Sequence, residues 1–241
     1  MSTAGLLVIG NEILSGKVVD VNSPYLAAEL RPLGVELLRI LTIPDDIDVI
    51  ANDVRVMSKA YDHVFTSGGI GPTHDDVTLE GVALAFGRDL VLDEEMCRRM
   101  EDAVGRPLNE SMRKMAMLPE GCERAEAENL WFPVVAIDNV YIFPGIPELF
   151  RKKFESVRDR FRGVPFELKR VYVTQHESEI AHHLNSLLSD FAELMLGSYP
   201  RLGEPDYRVM LTLESRDAGY LERALESLLS RLPADIVHRV E

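Results

Sequence analysis

Apolar positions along the chain follow two alternating rhythms. Leu6 to Ile9 is a short unbroken apolar run and reads as a buried strand. Asn22-Ser23-Pro24 then starts a helix, with a capping side chain and Pro in the first turn, and Leu26, Leu30 and Leu33 recur at helical spacing up to Gly34. Val35 to Thr42 is a second strand; Ile50, Val54, Met57 and Tyr61 share one face of a second helix. His63-Val64-Phe65 runs through Thr66 as a third strand, and Leu79, Val82, Ala83 and Phe86 resume the helical period. Strand and helix in strict alternation predict a mainly parallel sheet with right-handed crossovers.

Further on, Asp93 caps a helix carrying Met96, Met100, Ala103 and Val104, and Asn109 to Met117 reads as a short helix. Val134–Ile137 and Val140–Phe143 form a hairpin around Asp138-Asn139, and Pro144-Gly145-Ile146-Pro147-Glu148 leads into a long helix ending at Phe161. After Gly163-Val164-Pro165 the pattern changes. Glu167–Thr174 alternates as a strand, Ile180, Leu184, Leu187 and Leu188 make a helix, and Ala192–Leu196 and Tyr207–Leu213 are two strands with Gly197-Ser198-Tyr199-Pro200 as a turn between them. A helix with Leu221, Ala224, Leu225 and Leu228 and a strand from Ile236 to Val240 complete the order β-α-β-β-α-β of a ferredoxin-like fold. The expected class is α/β with a small C-terminal α+β ferredoxin-like domain, divided as residues 1–162 and 163–241.

Composition narrows the functions open to such a chain. With 241 residues, 46% of them hydrophobic, it can bury a sizeable core. A net charge of −14 disfavours nucleic acid and anionic membranes as partners, because both reward clustered Lys and Arg. The basic residues of Arg151-Lys152-Lys153 and of Arg158 to Arg162 are interleaved at helical spacing with Phe150, Phe154, Val157 and Phe161, which reads as a solvated helix face. No apolar run is long enough to span a bilayer, and the opening residues read as a strand, so a cytoplasmic protein is expected. Cys97 and Cys122, the two cysteines, have neither disulfide nor metal-ligand spacing and read as reduced thiols. His176, His182 and His183 lack the spacing of a zinc site.

The stretch richest in chemistry is Thr66-Ser67-Gly68-Gly69-Ile70-Gly71-Pro72-Thr73-His74-Asp75-Asp76-Val77-Thr78, between a strand and a helix. Glycines at 68, 69 and 71 let the backbone approach a ligand closely, and the following helix opens with unpaired N–H groups, a geometry suited to phosphate. The Lys of a Walker loop and the dinucleotide fingerprint are both missing. The loop instead carries Asp75 and Asp76, which repel phosphate unless a hard divalent cation such as Mg²⁺, Mn²⁺ or Co²⁺ bridges them to it. The competing reading is that Asp76 and Thr78 cap the helix. Position favours a site: Glu12 and Asp45 also follow strand ends, so four carboxylates share the carboxyl edge of the sheet, where α/β folds bind ligands.

These motifs, with Gly10-Asn11-Glu12-Ile13-Leu14-Ser15-Gly16, Asn22 and Pro44-Asp45, resemble the molybdopterin-binding domain superfamily, above all its competence/damage-inducible protein A (CinA) branch. Asn129-Leu130-Trp131-Phe132-Pro133, Phe143-Pro144-Gly145-Ile146-Pro147-Glu148, Gly197-Ser198-Tyr199-Pro200 and Leu211-Thr212-Leu213 look like the N-terminal domain of eukaryotic FAD synthase. The resemblance covers nearly the whole chain. It implies a three-layer α/β sandwich and, in these two branches, metal-dependent hydrolysis of a nucleotide pyrophosphate such as FAD or ADP-ribose. In the molybdenum-cofactor branch it implies molybdopterin binding with adenylylation or metal insertion. That branch usually has Arg where this chain has Asp75, and the CinA branch commonly has Gly-Thr-Ala-Pro-Gly where this chain has residues 130–134. Neither the deamidase domain of the full-length competence protein nor the synthase domain of FAD synthase is found here, so neither activity is expected.

The expected activity is therefore a divalent-metal-dependent nucleotide pyrophosphatase. Its alternatives are a molybdopterin-binding or adenylylating protein and a non-catalytic nucleotide-binding module. Asp45, Asp75 and Asp76 are the catalytic candidates, and Asp75, Asp76 and Glu12 the metal ligands. Gly10, Glu12, Asn22, Ser67, Gly68, Gly69, Gly71, Pro72, Thr73, Thr78, Asn109, Pro144, Gly145 and Glu148 are the ligand-binding candidates. The expected partner is a small nucleotide or pterin. The resemblance, with Trp131-Phe132-Pro133 as an exposed apolar run, also implies a homo-oligomer.

Overall fold

Leu6 and Val8 face one way from the first strand and Leu7 and Ile9 the other, and none is more than 3% exposed, so apolar layers cover both faces of the sheet. The computed structural model describes residues 2–125, 132–201, 203 and 206–241. Two compact units divide the chain, Met1–Gly163 and Val164–Glu241.

The first unit contains, in order, β1 (Ser2–Ile9), α1 (Asn11–Leu14), α2 (Asn22–Leu30), β2 (Val35–Ile43), α3 (Ile47–Ala60), β3 (His63–Ser67), α4 (Thr78–Phe86), β4 (Leu90–Leu92), α5 (Glu94–Val104), α6 (Glu110–Met115), β5 (Met117–Pro119), β6 (Glu123–Ala125), β7 (Val134–Ile137), β8 (Val140–Phe143) and α7 (Pro147–Val157). Its main sheet has the order β2-β1-β3-β8-β7-β6. The pairs β2–β1, β1–β3 and β3–β8 are parallel, whereas β8–β7 and β7–β6 are antiparallel. Helices α2 and α7 bury Leu26, Leu30, Phe150 and Phe154 against Leu6, Val8, Phe65 and Phe143. On the opposite face Ile50, Val54 and Met57 of α3, Leu79 and Val82 of α4, and Met96 and Met100 of α5 pack against Leu7, Ile9, Val64 and Ile142. The result is a three-layer α/β sandwich.

Several local expectations change. The helix expected through Met117 stops at Met115, because Met117, Leu118 and Pro119 pair with Leu92, Val91 and Leu90 in a two-stranded sheet. The long helix breaks at Val157 into a short 3₁₀ turn, Arg158–Phe161, which inserts Phe161 among the rings of Phe65 and Tyr141 at 4.9 and 4.8 Å. Asp20, rather than Asn22, caps α2, accepting from the backbone N–H of Asn22 at 2.9 Å and of Ser23 at 3.1 Å. Phe132 and Pro133 are buried rather than exposed, while Asn129, Leu130 and Trp131 lie outside the described residues.

The second unit contains β9 (Glu167–Val173), α8 (Glu177–Asp190), β10 (Met195–Pro200), β11 (Val209–Ser215), α9 (Ala218–Arg231) and β12 (Val237–Val240). Its four strands are antiparallel in the order β10-β11-β9-β12, the ferredoxin-like arrangement. Gly197 to Pro200 belong to β10 instead of forming a turn, with Gly197 opposite Thr212 and Pro200 opposite Val209. Tertiary pairing outweighs the local turn preference of Gly and Pro at this sheet edge. Among the described residues no helix is long and apolar enough to cross a membrane.

Phe65, fully buried on β3, touches four other aromatic rings. Phe65→Ala is expected to cost about 3–5 kcal/mol in urea unfolding monitored by circular dichroism. A cost under about 1 kcal/mol would show that this aromatic cluster does not hold the layer.

Candidate functional site

Three neighbouring parallel strands end on one edge of the sheet: β1 at Ile9, β3 at Ser67 and β8 at Phe143. The turn after β3 lies against the other two ends. Gly68 has φ 109°, and a Cβ there would stand 2.2 Å from the carbonyl oxygen of Ile9, so no other residue fits without moving β1. The Gly68 N–H donates to Phe143 O at 3.1 Å. Thr78 then holds both turn carbonyls, donating its hydroxyl to Gly68 O and its N–H to Gly69 O, each at 2.9 Å. With the carbonyls tied back, the N–H groups of Gly69, Ile70 and Gly71 have no hydrogen-bond partner among the described residues. Successive free amides in such a turn are a ready anion cradle.

Asp76 faces this cradle. Its Oδ2 accepts from the Thr73 N–H at 2.8 Å and lies 2.5 Å from the Thr73 hydroxyl. Helix α4 begins at Thr78, its N-cap is Val77 and no side chain caps it, so neither Asp76 nor Thr78 acts as the helix cap. Asp75 Oδ1 also lies 2.5 Å from the Thr73 hydroxyl, whose hydrogen bond holds the Asp75 carboxyl below the usual carboxylate range. That hydroxyl has one proton and two carboxylates competing for it.

A cleft of about 460 Å³ opens beside the loop. Of the residues singled out from sequence, Glu12, Gly68, Gly69, Gly71, Pro72, Asp76, Pro144 and Gly145 line it. Ile70, Met115, Phe132, Ile146, Leu149 and Lys153 complete it. A smaller recess of about 90 Å³ adjoins at Glu12, Asn22, Ser67, Gly68 and Gly145. There the Asn22 amide donates to Ser67 Oγ and to Gly145 O, both at 2.9 Å, while its buried Oδ1 has no partner. An orphaned buried acceptor costs stability unless a ligand satisfies it.

The other candidates stand outside the cleft lining. Asp45 accepts from the Asn11 N–H at 2.8 Å and so fixes the turn that carries Glu12. Asn109 caps α6, accepting from the Met112 N–H at 2.9 Å. Asp75 and Thr73 form the outer side of the loop, Gly10 joins β1 to α1, Thr78 ties the turn carbonyls, and Glu148 is exposed on the first turn of α7.

Two cations escaped the sequence reading. Lys114, from α6, donates to Thr73 O at 3.0 Å. Lys153 is not on a solvated face. It is 3% exposed, donates to Pro133 O at 2.7 Å, and stands 3.9 Å from the centre of the Phe132 ring. Burial lowers its pKa from the ordinary 10.5 to about 7. A signal existed: Phe150, Lys153, Phe154 and Val157 are the buried positions of α7, and 153 falls at i+3 from Phe150.

Comparison with known proteins fits this geometry. Residues 5–162 match the family model described as "Probable molybdopterin binding domain". The chain belongs to the molybdopterin-binding domain family. Every residue lining the two recesses falls inside that match. Residues 165–241 match a second model, "FAD synthase, middle domain". A protein of Archaeoglobus fulgidus is 36% identical over 221 residues, 92% of this chain and 94% of that one. A "Probable FAD synthase" of Caenorhabditis elegans is 33% identical over 98% of this chain and 51% of its own length, so the chain spans about half of that relative. The solved structure of the protein CinA from Thermoplasma acidophilum, a protein of unknown function, aligns with a TM-score of 0.62 at 32% identity, over 66% of this chain and 98% of that one.

Among the described residues no group of three or more His, Cys, Asp or Glu is arranged to hold a metal ion. The two carboxylates on the cleft, Glu12 and Asp76, still suit a hard cation of the Mg²⁺ type, which commonly takes one or two protein carboxylates and completes its shell with water and ligand phosphate. A cation in this molybdopterin-binding fold would therefore arrive with its ligand rather than occupy a protein cage.

Lys153 also makes stability depend on pH. Its folded pKa lies below its unfolded one, so between about 7 and 10.5 the unfolded chain holds more protons and stability rises with pH. Below about 7 the folded chain bears the full cost of a buried ammonium. Lys153→Met is therefore expected to stabilise the fold at pH 6 by on the order of a few kcal/mol, read as a higher melting temperature, and by much less at pH 10. Equal shifts at both pH values would contradict the burial of an ionisable group there.

Proposed function

We propose that this molybdopterin-binding-family chain hydrolyses a nucleotide pyrophosphate, with FAD or ADP-ribose as representative substrates, in a divalent-metal-dependent reaction. The observation that carries this reading is the meeting of three unpaired amides, Gly69, Ile70 and Gly71, with the carboxylates of Glu12 and Asp76 on one cleft. Amides alone would serve any anion. Carboxylates beside them require the phosphate to come with a cation, and supply a base for water.

The roles follow from how each group is held. Asp76, fixed by Thr73, is the carboxylate suited to hold the cation. Glu12, whose carboxylate makes no hydrogen bond among the described residues, is free to accept the proton of the attacking water. The water oxygen bonds to one phosphorus, the bridging P–O bond breaks, and the free amides stabilise charge on the non-bridging oxygens. A bound Mg²⁺, Mn²⁺ or Co²⁺ would lower the pKa of that water and neutralise the pyrophosphate. Ile70, Met115, Ile146 and Leu149 give the cleft an apolar lobe for a base or flavin ring.

The 33% identity to a "Probable FAD synthase" over 98% of this chain, cleft included, supports FAD as a ligand. A second reading, molybdopterin binding or adenylylation, is favoured by the family match and by Lys114 against the loop at Thr73. Incubation with FAD, ADP-ribose and NADH, each with Mg²⁺, Mn²⁺ and Co²⁺, separates the two by the appearance of mononucleotide products. Binding of a pterin phosphate without turnover of any dinucleotide would favour the second.

Asp76→Asn keeps an acceptor for the Thr73 N–H but loses the charge. It is expected to lower metal-dependent turnover by about 10²–10³ while the melting temperature moves only a few degrees. Unchanged turnover at every metal concentration would remove Asp76 from the reaction.

A further inference from the structure

Among the described residues Lys153 is a buried amine without a counter-charge. Among the described residues it forms no ion pair; its contacts are the Pro133 carbonyl and the face of Phe132. An ammonium has three donors, and Pro133 uses one. The charged groups facing the same cleft are Glu12, from the turn after β1, and Asp76, from the glycine loop. Neither perturbs Lys153, on which burial is the sole resolved influence. Its neighbours on α7, Arg151, Lys152 and Glu155, are exposed and face away from the cleft lining. The cleft thus has two kinds of polar provision. Amides and carboxylates converge at the glycine loop, while a single amine stands against Phe132, in a lining otherwise supplied by Ile146, Leu149 and Met115.

We propose that Lys153 is a specificity residue that donates a hydrogen bond to a carbonyl oxygen of a flat heterocycle in the apolar lobe, selecting flavin- or pterin-type rings over adenine, which has no carbonyl. This rests on the reading of the cleft as a nucleotide or pterin site. The glycine loop already provides for phosphate, whereas among the described residues Lys153 is the one side chain of the apolar lobe that can pair with a polar ring edge. Leaving such an edge unpaired in an apolar lobe is costly, so the amine discriminates between rings of similar size. A bound acceptor favours the charged amine, so ligand binding is coupled to proton uptake near neutral pH.

The test compares the full chain with Lys153→Met and Lys153→Arg by isothermal titration with FAD, FMN and ADP-ribose in Ca²⁺, which can bridge phosphate to carboxylate, with chromatography establishing that no mononucleotide product forms during the titration. A circular dichroism melt establishes that each variant is folded. FAD and FMN are expected to lose about tenfold to a hundredfold in affinity on Lys153→Met, and ADP-ribose less than about threefold. Parent FAD affinity is expected to fall as pH rises above about 7, with proton uptake in buffers of different ionisation enthalpy, and Lys153→Met to show neither effect. Equal FAD affinity in parent and Lys153→Met would overturn the proposal while leaving the nucleotide reading intact. An equal loss for ADP-ribose would also overturn it, by assigning Lys153 to the pyrophosphate. Failure of the parent to bind any of the three ligands would overturn both readings. If Lys153→Met does not fold, loss of the pH dependence in Lys153→Arg, whose charge persists throughout the range, supports the proposal and its retention refutes it.

Discussion

The site depends on a close approach of backbone to backbone. Gly68 fits against the Ile9 carbonyl on one side and Gly145 on the other, where a Cβ on Gly145 would lie 3.3 Å from the Gly68 Cα. That contact draws the ends of β1, β3 and β8 together and fixes the direction in which the next amides point. Hydrogen bonds from Thr78 lock the turn by consuming its carbonyls rather than its N–H groups. The polarity of the loop is therefore set before any charged side chain enters, and it is an anion's polarity. Carboxylates placed around it work against it, and that tension is resolved by a cation or a proton.

The supporting shell shows how much construction a small opening needs. The Asp45 carboxylate fixes the turn bearing Glu12, the Thr73 N–H and hydroxyl donate to Asp76 in the glycine loop, and Asn22 bridges Ser67 to Gly145. All three are polar groups near the sheet edge whose main work is to position other groups. The apolar side is built differently, from Met115 of α6, from Ile146 between β8 and α7, and from α7, whose buried stripe includes a lysine. One cleft thus joins a rigid polar end to a packed apolar end, an arrangement suited to ligands with a phosphate at one end and a ring at the other.

Most of the sheet was legible because its strands are unbroken apolar runs and its helices carry regular stripes. The parallel order followed from Leu6–Ile9, Val35–Thr42 and His63–Thr66 alternating with helices, and the β-α-β-β-α-β order of the C-terminal unit was readable for the same reason. Legibility failed where pairing overrode local preference: Gly197 to Pro200 spell a turn yet extend as an edge strand, and Met117 to Pro119 spell a helix end yet pair with Leu90 to Leu92. In the site, Gly68 and Asp76 announced themselves by type and position, but Asp45 and Asn109 carry the same side chains for positioning and capping, which composition cannot separate from ligand binding. Lys153 was hidden because a charged residue in a basic run reads as solvated, although its helical phase placed it inward.

The carboxylates at the cleft also bear on how fast a ligand arrives. A free pyrophosphate approaches a chain of net charge −14 through an entrance bearing Glu12 and Asp76, with Asp75 on the outer loop. Such an encounter is electrostatically repelled, so added salt quickens association instead of slowing it, the reverse of the usual steering of opposite charges. A ligand already neutralised by its counter-ion escapes most of that barrier. The entrance thus discriminates by the charge a ligand carries on arrival, before any contact inside the cleft is made.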